Sequence, residues 1–181
     1  TSMSVRPAVV LIFFRRSDCV SRCLEGVRKA RPPRLWLVQD APRPDAAGEA
    51  RACEDARLTA EAAVDWPCEV RRLYSVRNEG PSRRIEGALH TVFSEEDRAI
   101  ILEEDCIPHS DFVPYCESML EKFAGETAVG QVSGCQFVPG GWRARNGADY
   151  SFAYLAQIWG WATWRRAWKH FDASLAGWPE F

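Results

Sequence analysis

Short apolar runs alternate along the chain with longer stretches in which apolar residues recur every three or four positions. Continuous runs rich in β-branched residues are typical of strands that are covered on both faces of a sheet. They predict strands at residues 8–14, 35–38 and 99–102. Two less apolar segments, at residues 68–74 and 129–132, predict further strands.

Helical spacing marks the stretches between these strands. The first helix is predicted by Val20, Cys23, Leu24 and Val27, and the second by an Ala- and Glu-rich segment at residues 46–64. The third carries Ile85, Ala88, Leu89, Val92 and Phe93 on one face, and the fourth Phe112, Cys116, Met119, Leu120 and Phe123. A short helix is predicted at residues 163–170.

This alternation predicts an α/β fold with a mostly parallel, layered sheet and helices on both of its faces. The 181 residues fit a single domain with a sizeable core. In such sheets ligands bind outside the carboxyl ends of the strands. Polar residues follow directly on three predicted strands: Arg15-Arg16, Gln39-Asp40 and Glu103-Glu104-Asp105.

Composition excludes several classes of protein. A formal net charge of -2 argues against nucleic acid as a partner. Seven cysteines with no zinc-site spacing favour a reducing compartment. The longest apolar runs are too short to span a bilayer. We therefore expect a cytoplasmic protein, either free or peripheral to the membrane.

Glu103-Glu104-Asp105 places three consecutive carboxylates at the end of a buried strand. Their mutual repulsion is costly there unless a positive charge offsets it. Mg²⁺ or Mn²⁺ would do so, because both prefer oxygen ligands and also bind the phosphate oxygens of substrates. An exposed acidic turn is the alternative interpretation. A metal at this place would provide Lewis-acid catalysis for a leaving nucleotide.

Two motifs resemble those of a known group of enzymes. Glu103-Glu104-Asp105 with Pro108, Asp111-Phe112 and Tyr115 is similar to the E-D-D…P…D-F-F…Y segment of type A glycosyltransferases. The run W-G-W-A-T-W-R-R-A-W at residues 159–168 resembles the signature of a bacterial group similar to N-acetylglucosaminyltransferase I. The resemblance extends over nearly all of the chain. It implies a Rossmann-like fold and transfer of a sugar from a nucleotide diphosphate donor, a UDP-sugar, to a glycan or small-molecule acceptor that the sequence does not identify.

The resemblance also implies a set of site residues. Asp105 is expected to ligate Mn²⁺ or Mg²⁺, with Glu103 and Glu104 bonding to ribose or to metal-bound water. Arg16 is expected near the diphosphate and Asp40 at the uracil edge. Arg84 falls near a histidine of the family, so that contact is expected to be altered or absent. The remaining expected positions border the donor sugar and the acceptor: Trp159, Gly160 and Trp161.

The chain also departs from the family pattern. Relatives continue past residues 178–181 with further acidic and His residues, so we expect a C-terminal segment to be lacking and activity to be reduced. The catalytic carboxylate has no clear counterpart, and Asp149 and Asp172 are the nearest candidates. Gly140-Gly141-Trp142 is expected to form a lid loop.

Two alternative functions are open at this point. A sugar nucleotidyltransferase would need a Gly-rich loop after the first strand, and Phe14-Arg15-Arg16-Ser17-Asp18 contains no glycine. A non-catalytic nucleotide-binding or interaction domain is the second alternative. The sequence does not indicate the oligomeric state.

Overall fold

A computed structural model describes residues 6–135, 147 and 149–176. The strands in this part are β1 (Ala8–Phe13), β2 (Arg34–Gln39), β3 (Glu69–Tyr74), β4 (Arg98–Glu103), β5 (Gln131–Ser133) and β6 (Trp161–Trp164). The helices are α1 (Ser17–Ala30), α2 (Glu49–Ala62), α3 (Pro81–Glu95), α4 (Phe112–Lys122) and α5 (Arg165–Trp168). None of these helices has the length and apolar character needed to cross a membrane.

The strands form one mixed sheet in the order β3-β2-β1-β4-β6-β5. The pairs β1–β2, β2–β3 and β1–β4 are parallel, whereas β6 is antiparallel to both β4 and β5. The prediction of a mostly parallel sheet is therefore confirmed. Since β2 and β3 lie on one side of β1 and β4 lies on the other, the strand order reverses between β1 and β4, and ligands of open α/β sheets bind at such a reversal.

Helices cover both faces of the sheet. Alternate residues of a strand point to opposite faces, so Val9 and Leu11 of β1 pack with α1, α2 and α4, while Val10 packs with α3 and α5. Leu24 of α1 and Leu89 of α3 are fully buried in these two cores. Burial on both sides explains why β1, β2 and β4 are almost continuously apolar.

One element differs in type from the prediction. Residues 161–164 form β6, so the helix predicted at residues 163–170 begins only at Arg165. Ala162 pairs with Ile100 of β4, and that pairing decides the local conformation. The predicted second helix also begins later than expected, at Glu49, because Gly48 takes a left-handed φ of 77°.

Candidate functional site

The loop after β1 is held by side chains from both neighbouring strands. The Phe14 backbone N–H donates to Oε2 of Glu104 at 2.8 Å, and Gln39 Nε2 donates to the Phe14 carbonyl at 2.7 Å. Gln39 and Glu104 are both buried. This places Arg15 and Arg16 at the reversal of strand order, beside the residues that follow β4.

Arg16 joins two carboxylates of the acidic turn, which we define as residues 103–105. Its Nε donates to Oε1 of Glu104 at 2.6 Å, and its Nη2 donates to Oδ2 of Asp105 at 3.0 Å. These hydrogen bonds, first to Glu104 and then to Asp105, raise the pKa of Arg16 above its usual value. The Asp105 side chain is 44% exposed and the Arg16 side chain 49%, so solvent and ligands can reach both.

Glu103 has no such direct partner. Its carboxylate makes no hydrogen bond or ion pair within the part of the chain that the structure describes. Burial raises the pKa of Glu103, and the charges of Asp105 and Glu104 raise it further, while the charge of Arg16 opposes them in part. Three carboxylates therefore face one guanidinium, which leaves an excess of negative charge at the place where β1 and β4 end.

The donor set fits a divalent cation that shares its ligands with a substrate. Among residues 6–135, 147 and 149–176, no three His, Cys, Asp or Glu side chains converge into a complete metal cage. Mg²⁺ does not need one, because it usually takes one or two carboxylates together with substrate phosphates and water. The partly exposed Asp105 and the unpaired Glu103 carboxylate offer such oxygen ligands.

Asp40 connects the end of β2 to the start of α3. Its Oδ1 accepts from the N–H groups of Ala41 at 2.9 Å and Glu79 at 3.1 Å, and its Oδ2 accepts from Glu79 at 3.1 Å and Gly80 at 2.9 Å. Three backbone N–H groups therefore contact this carboxylate, with that of Glu79 shared between both oxygens, and a carboxylate has about four acceptor positions. The expected contact with uracil stays a prediction.

Arg84 lies in the first turn of α3, beside the loop between β3 and α3. Its Nη2 donates to the Leu73 carbonyl, and its Nη1 lies 3.8 Å from Oε2 of Glu79. The Nε atom is buried without a partner among the described residues. These contacts join Arg84 to β3 and its loop, and none of them reaches Arg16 or the acidic turn.

Gly160 makes the close approach that its position between two tryptophans indicates. It has a φ of 68°, and a Cβ on it would lie 3.2 Å from the ring of Phe112. The N–H of Gly134 donates to the Gly160 carbonyl at 3.0 Å. Trp159 is 56% exposed, whereas Trp161 is partly buried against the core beneath α3.

Phe112, Gly134 and Gly160 form a contact that the sequence analysis did not identify. A Cβ on Gly134 would overlap the Phe112 ring, and one on Gly160 would make a tight contact with it, so both glycines leave room for that side chain. Phe112 begins α4, seven residues after Asp105. Phe112 and Gly160 each belong to one of the two motifs named above, but no local pattern pairs them with each other or with Gly134.

Neither candidate for the catalytic carboxylate joins the site through a hydrogen bond or ion pair within the described residues. Asp149 is exposed. The Asp172 carboxylate accepts from the hydroxyl and N–H of Ser174 at 2.6 and 2.9 Å, and these bonds lower its pKa. The loop expected at residues 140–142 lies outside the described residues.

Glu49 also contributes to the site, although no sequence pattern pointed to it. It is buried at the start of α2 and accepts from the N–H of Arg43 at 2.8 Å, from the Arg43 side chain and from Nη1 of Arg15 at 2.9 Å. The Arg43 hydrogen bonds lower the pKa of Glu49 to about 2. Glu49 thereby fixes the loop after β2 against the loop after β1.

Comparisons with known proteins give a fold and no family. No protein-family model and no curated protein matches the chain. A mannosyltransferase from Pyrobaculum calidifontis, solved with GDP-Man and Mn²⁺, matches with 17% identity and a TM-score of 0.51 over 73% of this chain and 36% of its own. A 4-diphosphocytidyl-2C-methyl-D-erythritol synthase from Anaerococcus prevotii matches with 9% identity and a TM-score of 0.47 over 93% of this chain and 80% of its own.

The chain spans about a third of the length of that mannosyltransferase. At such low identity the likeness concerns the fold and does not extend to the reaction. The protein therefore has a Rossmann-like α/β fold with a mostly parallel sheet, and this fold is similar to part of the mannosyltransferase.

Proposed function

We propose that this chain binds the nucleotide-sugar donor of a glycosyltransferase that moves a sugar to an acceptor with the help of Mn²⁺ or Mg²⁺. The observation that carries the proposal is the position of Arg16 and the acidic turn, where the order of the parallel strands reverses. That position is where open α/β sheets bind nucleotides. The fold shared with a mannosyltransferase solved with GDP-Man and Mn²⁺ adds support.

Each residue of the acidic turn has its own role in this proposal. Asp105 offers a partly exposed carboxylate oxygen to the cation, and Glu103 bonds to ribose or to metal-bound water. Glu104 stays buried and keeps Arg16 and the Phe14 backbone in place. Arg16 exchanges its exposed contact with Asp105 for the diphosphate, whose oxygens fit the guanidinium fork. The bound cation would supply Lewis-acid stabilisation of the leaving nucleotide.

A UDP-sugar is the proposed donor, and Asp40 the proposed reader of its base. Uracil presents an N–H between two carbonyls, and a carboxylate oxygen can accept a hydrogen bond from that N–H. Cytosine presents an acceptor nitrogen at the same position. To accept from uracil, Asp40 must share an oxygen that already accepts from Glu79 or Gly80. Trp159, Gly160 and Trp161 are proposed to border the donor sugar and the acceptor, and Arg84 to support the loop beside the base.

The two alternatives differ in their support. A sugar nucleotidyltransferase is disfavoured because the loop after β1 has no glycine whose backbone could hold a triphosphate. A non-catalytic nucleotide-binding domain is supported by one observation. Asp172 is bonded within its own turn and Asp149 is exposed, and neither candidate base makes a hydrogen bond or ion pair to the acidic turn or Arg16 among the described residues.

Calorimetric titration of UDP and of GDP, each with Mn²⁺ and with a chelator, tests the proposal. The parent should bind UDP about tenfold or more tightly with Mn²⁺, a difference of ~1.4 kcal/mol. Asp105→Asn should lose that dependence. Asp97→Asn is the matched control, because it removes an exposed carboxylate at the opposite end of β4. Equal affinity of the parent with and without metal would refute the proposal.

The role of Asp40 has its own test. Asp40→Asn replaces an acceptor by an amide donor, so the affinity for UDP should fall by about 1–3 kcal/mol. The affinity for CDP should fall less or rise, because the amide can donate to cytosine. An equal loss for both nucleotides would mean that Asp40 only holds the loop before α3.

Separating transfer from simple binding needs an activity assay. Release of UDP from UDP-sugars by the parent and by Asp172→Asn and Asp149→Asn variants measures whether either carboxylate takes part. Binding of donor without any turnover would favour the non-catalytic alternative.

A further inference from the structure

A cavity of about 460 Å³ opens beyond the carboxyl end of the edge strand β3. It is lined by Arg77, Asn78, Glu79, Arg83 and Gly87, from the loop after β3 and from α3. Its volume lies in the range of small-molecule sites. We refer to it as the α3 cavity.

Two arginines of the α3 cavity have no counter-charge. Arg77 and Arg83 are exposed and make no hydrogen bond or ion pair within the described chain, whereas most of its other arginines are paired. The one acidic residue of the lining, Glu79, accepts from Ser75 Oγ at 3.3 Å and lies 3.8 Å from Arg84. Glu79 is thus engaged by Ser75 and Arg84, and neither Arg77 nor Arg83 is paired with it. The planar donor pattern of the two guanidinium groups matches phosphate and carboxylate oxygens.

Gly87 contributes no side chain to the lining of the α3 cavity. It is an exposed residue in the middle of α3, and a Cβ built on it would have no atom within 4 Å. Packing therefore does not require glycine here, although glycine is less favourable than alanine inside a helix. Arg83 lies four residues earlier on the same face of α3, so a longer side chain at Gly87 would enter the space beside its guanidinium.

The wall of the α3 cavity is fixed before any ligand arrives. Asn78 Nδ2 donates to the Ala41 carbonyl at 2.7 Å, and Asp40 accepts from the N–H groups of Glu79 and Gly80. Loop 75–80 is thus bonded to the end of β2 on both sides of Glu79. The backbone of that loop therefore loses little conformational freedom when a ligand binds.

We propose that the α3 cavity binds a phosphate or carboxylate group through Arg77 and Arg83, on the side of Asp40 that faces away from Arg16 and the acidic turn. Neighbouring strands lie about 4.8 Å apart, so the end of β3 is roughly 10 Å from that of β1 and farther from that of β4.

Calorimetric titration with inorganic phosphate, and separately with acetate, tests the site without donor or metal. Arg77→Gln combined with Arg83→Gln should weaken binding about tenfold or more, the scale of losing charge-assisted hydrogen bonds. The matched control combines Arg22→Gln with Arg51→Gln, which removes the same charge from exposed positions of α1 and α2. Arg16→Gln should leave the affinity unchanged. No binding by the parent, or equal weakening in the control or in Arg16→Gln, would overturn the proposal.

Two further arms sharpen the test. Gly87→Glu should abolish phosphate binding, because the new carboxylate would pair with Arg83. Gly87→Ala should raise the Tm of the domain, because alanine is more favourable than glycine inside a helix. Unchanged phosphate affinity in Gly87→Glu would contradict the assignment. Saturating UDP and Mn²⁺ should not displace phosphate, and displacement would place the anion in the donor site instead. UDP binding is measured in a separate titration. A failure to bind UDP would therefore count against the proposed function and not against the α3 cavity.

Discussion

Glu104→Gln removes one negative charge from the buried junction between the loop after β1 and the acidic turn. The parent carboxylate accepts from the Phe14 N–H at 2.8 Å and from Nε of Arg16 at 2.6 Å. The amide oxygen of the substituted side chain can keep one of these bonds. Its NH₂ group must then face the other donor, because the two sites lie on opposite oxygens of one buried group.

The magnitude follows from the loss of one charge-assisted bond. Such bonds contribute about 1.5–3 kcal/mol when they are well buried. Arg16 is 49% exposed, and solvent screening reduces the contribution of a half-exposed pair, so we expect a destabilisation of about 1–2 kcal/mol. For a domain of this size that loss lowers Tm by roughly 2–8 °C.

Urea unfolding followed by circular dichroism at pH 7 measures this loss. Asp55→Asn is the control, since it breaks an exposed i,i+4 ion pair with Arg51 that contributes about 0.3–0.5 kcal/mol. In a double-mutant cycle with Arg16→Gln, the two losses should be less than additive by about 1 kcal/mol. A Glu104→Gln variant as stable as Asp55→Asn, with no coupling to Arg16, would refute this account of the junction.

Three further predictions follow from the fold. Gly160→Ala should destabilise by about 1–2 kcal/mol in urea unfolding, because a left-handed φ strains an L-residue and its Cβ would press on Phe112. The pKa of Glu49 is lowered from 4.5 to about 2, so its stabilising effect is fully present above pH 4.5 and is lost as the pH falls towards 2. The Tm of the Glu49→Gln variant should therefore change less with pH over that interval than the Tm of the parent. Leu24→Ala should cost about 2–5 kcal/mol, whereas Leu58→Ala, at a 57% exposed position, should stay within about 0.5 kcal/mol.

The residues that line the candidate site were predictable where they follow a strand directly. Arg16 and Asp105 lie more than eighty residues apart in the sequence, yet both come after apolar runs, and parallel strands end at the same edge of the sheet. No local sequence pattern predicts that these two side chains form an ion pair. Nor does one predict that Glu103 has no similar partner among the described residues, because both depend on side-chain geometry. The same holds for Asp40, whose bonds to Glu79 and Gly80 cross from one loop to another.

The amino-acid sequence by itself determined the fold class, because strands buried on both faces must be continuously apolar and helices packed on a sheet need one apolar face. Only the tertiary structure decided that residues 161–164 form β6, since these residues become a strand by pairing with β4 and carry no distinct local signal. It also decided which charged groups meet. Arg15 and Arg16 are adjacent in the chain, but Arg15 binds Glu49 and Arg16 binds the acidic turn, because the loop after β1 points their side chains towards different neighbours.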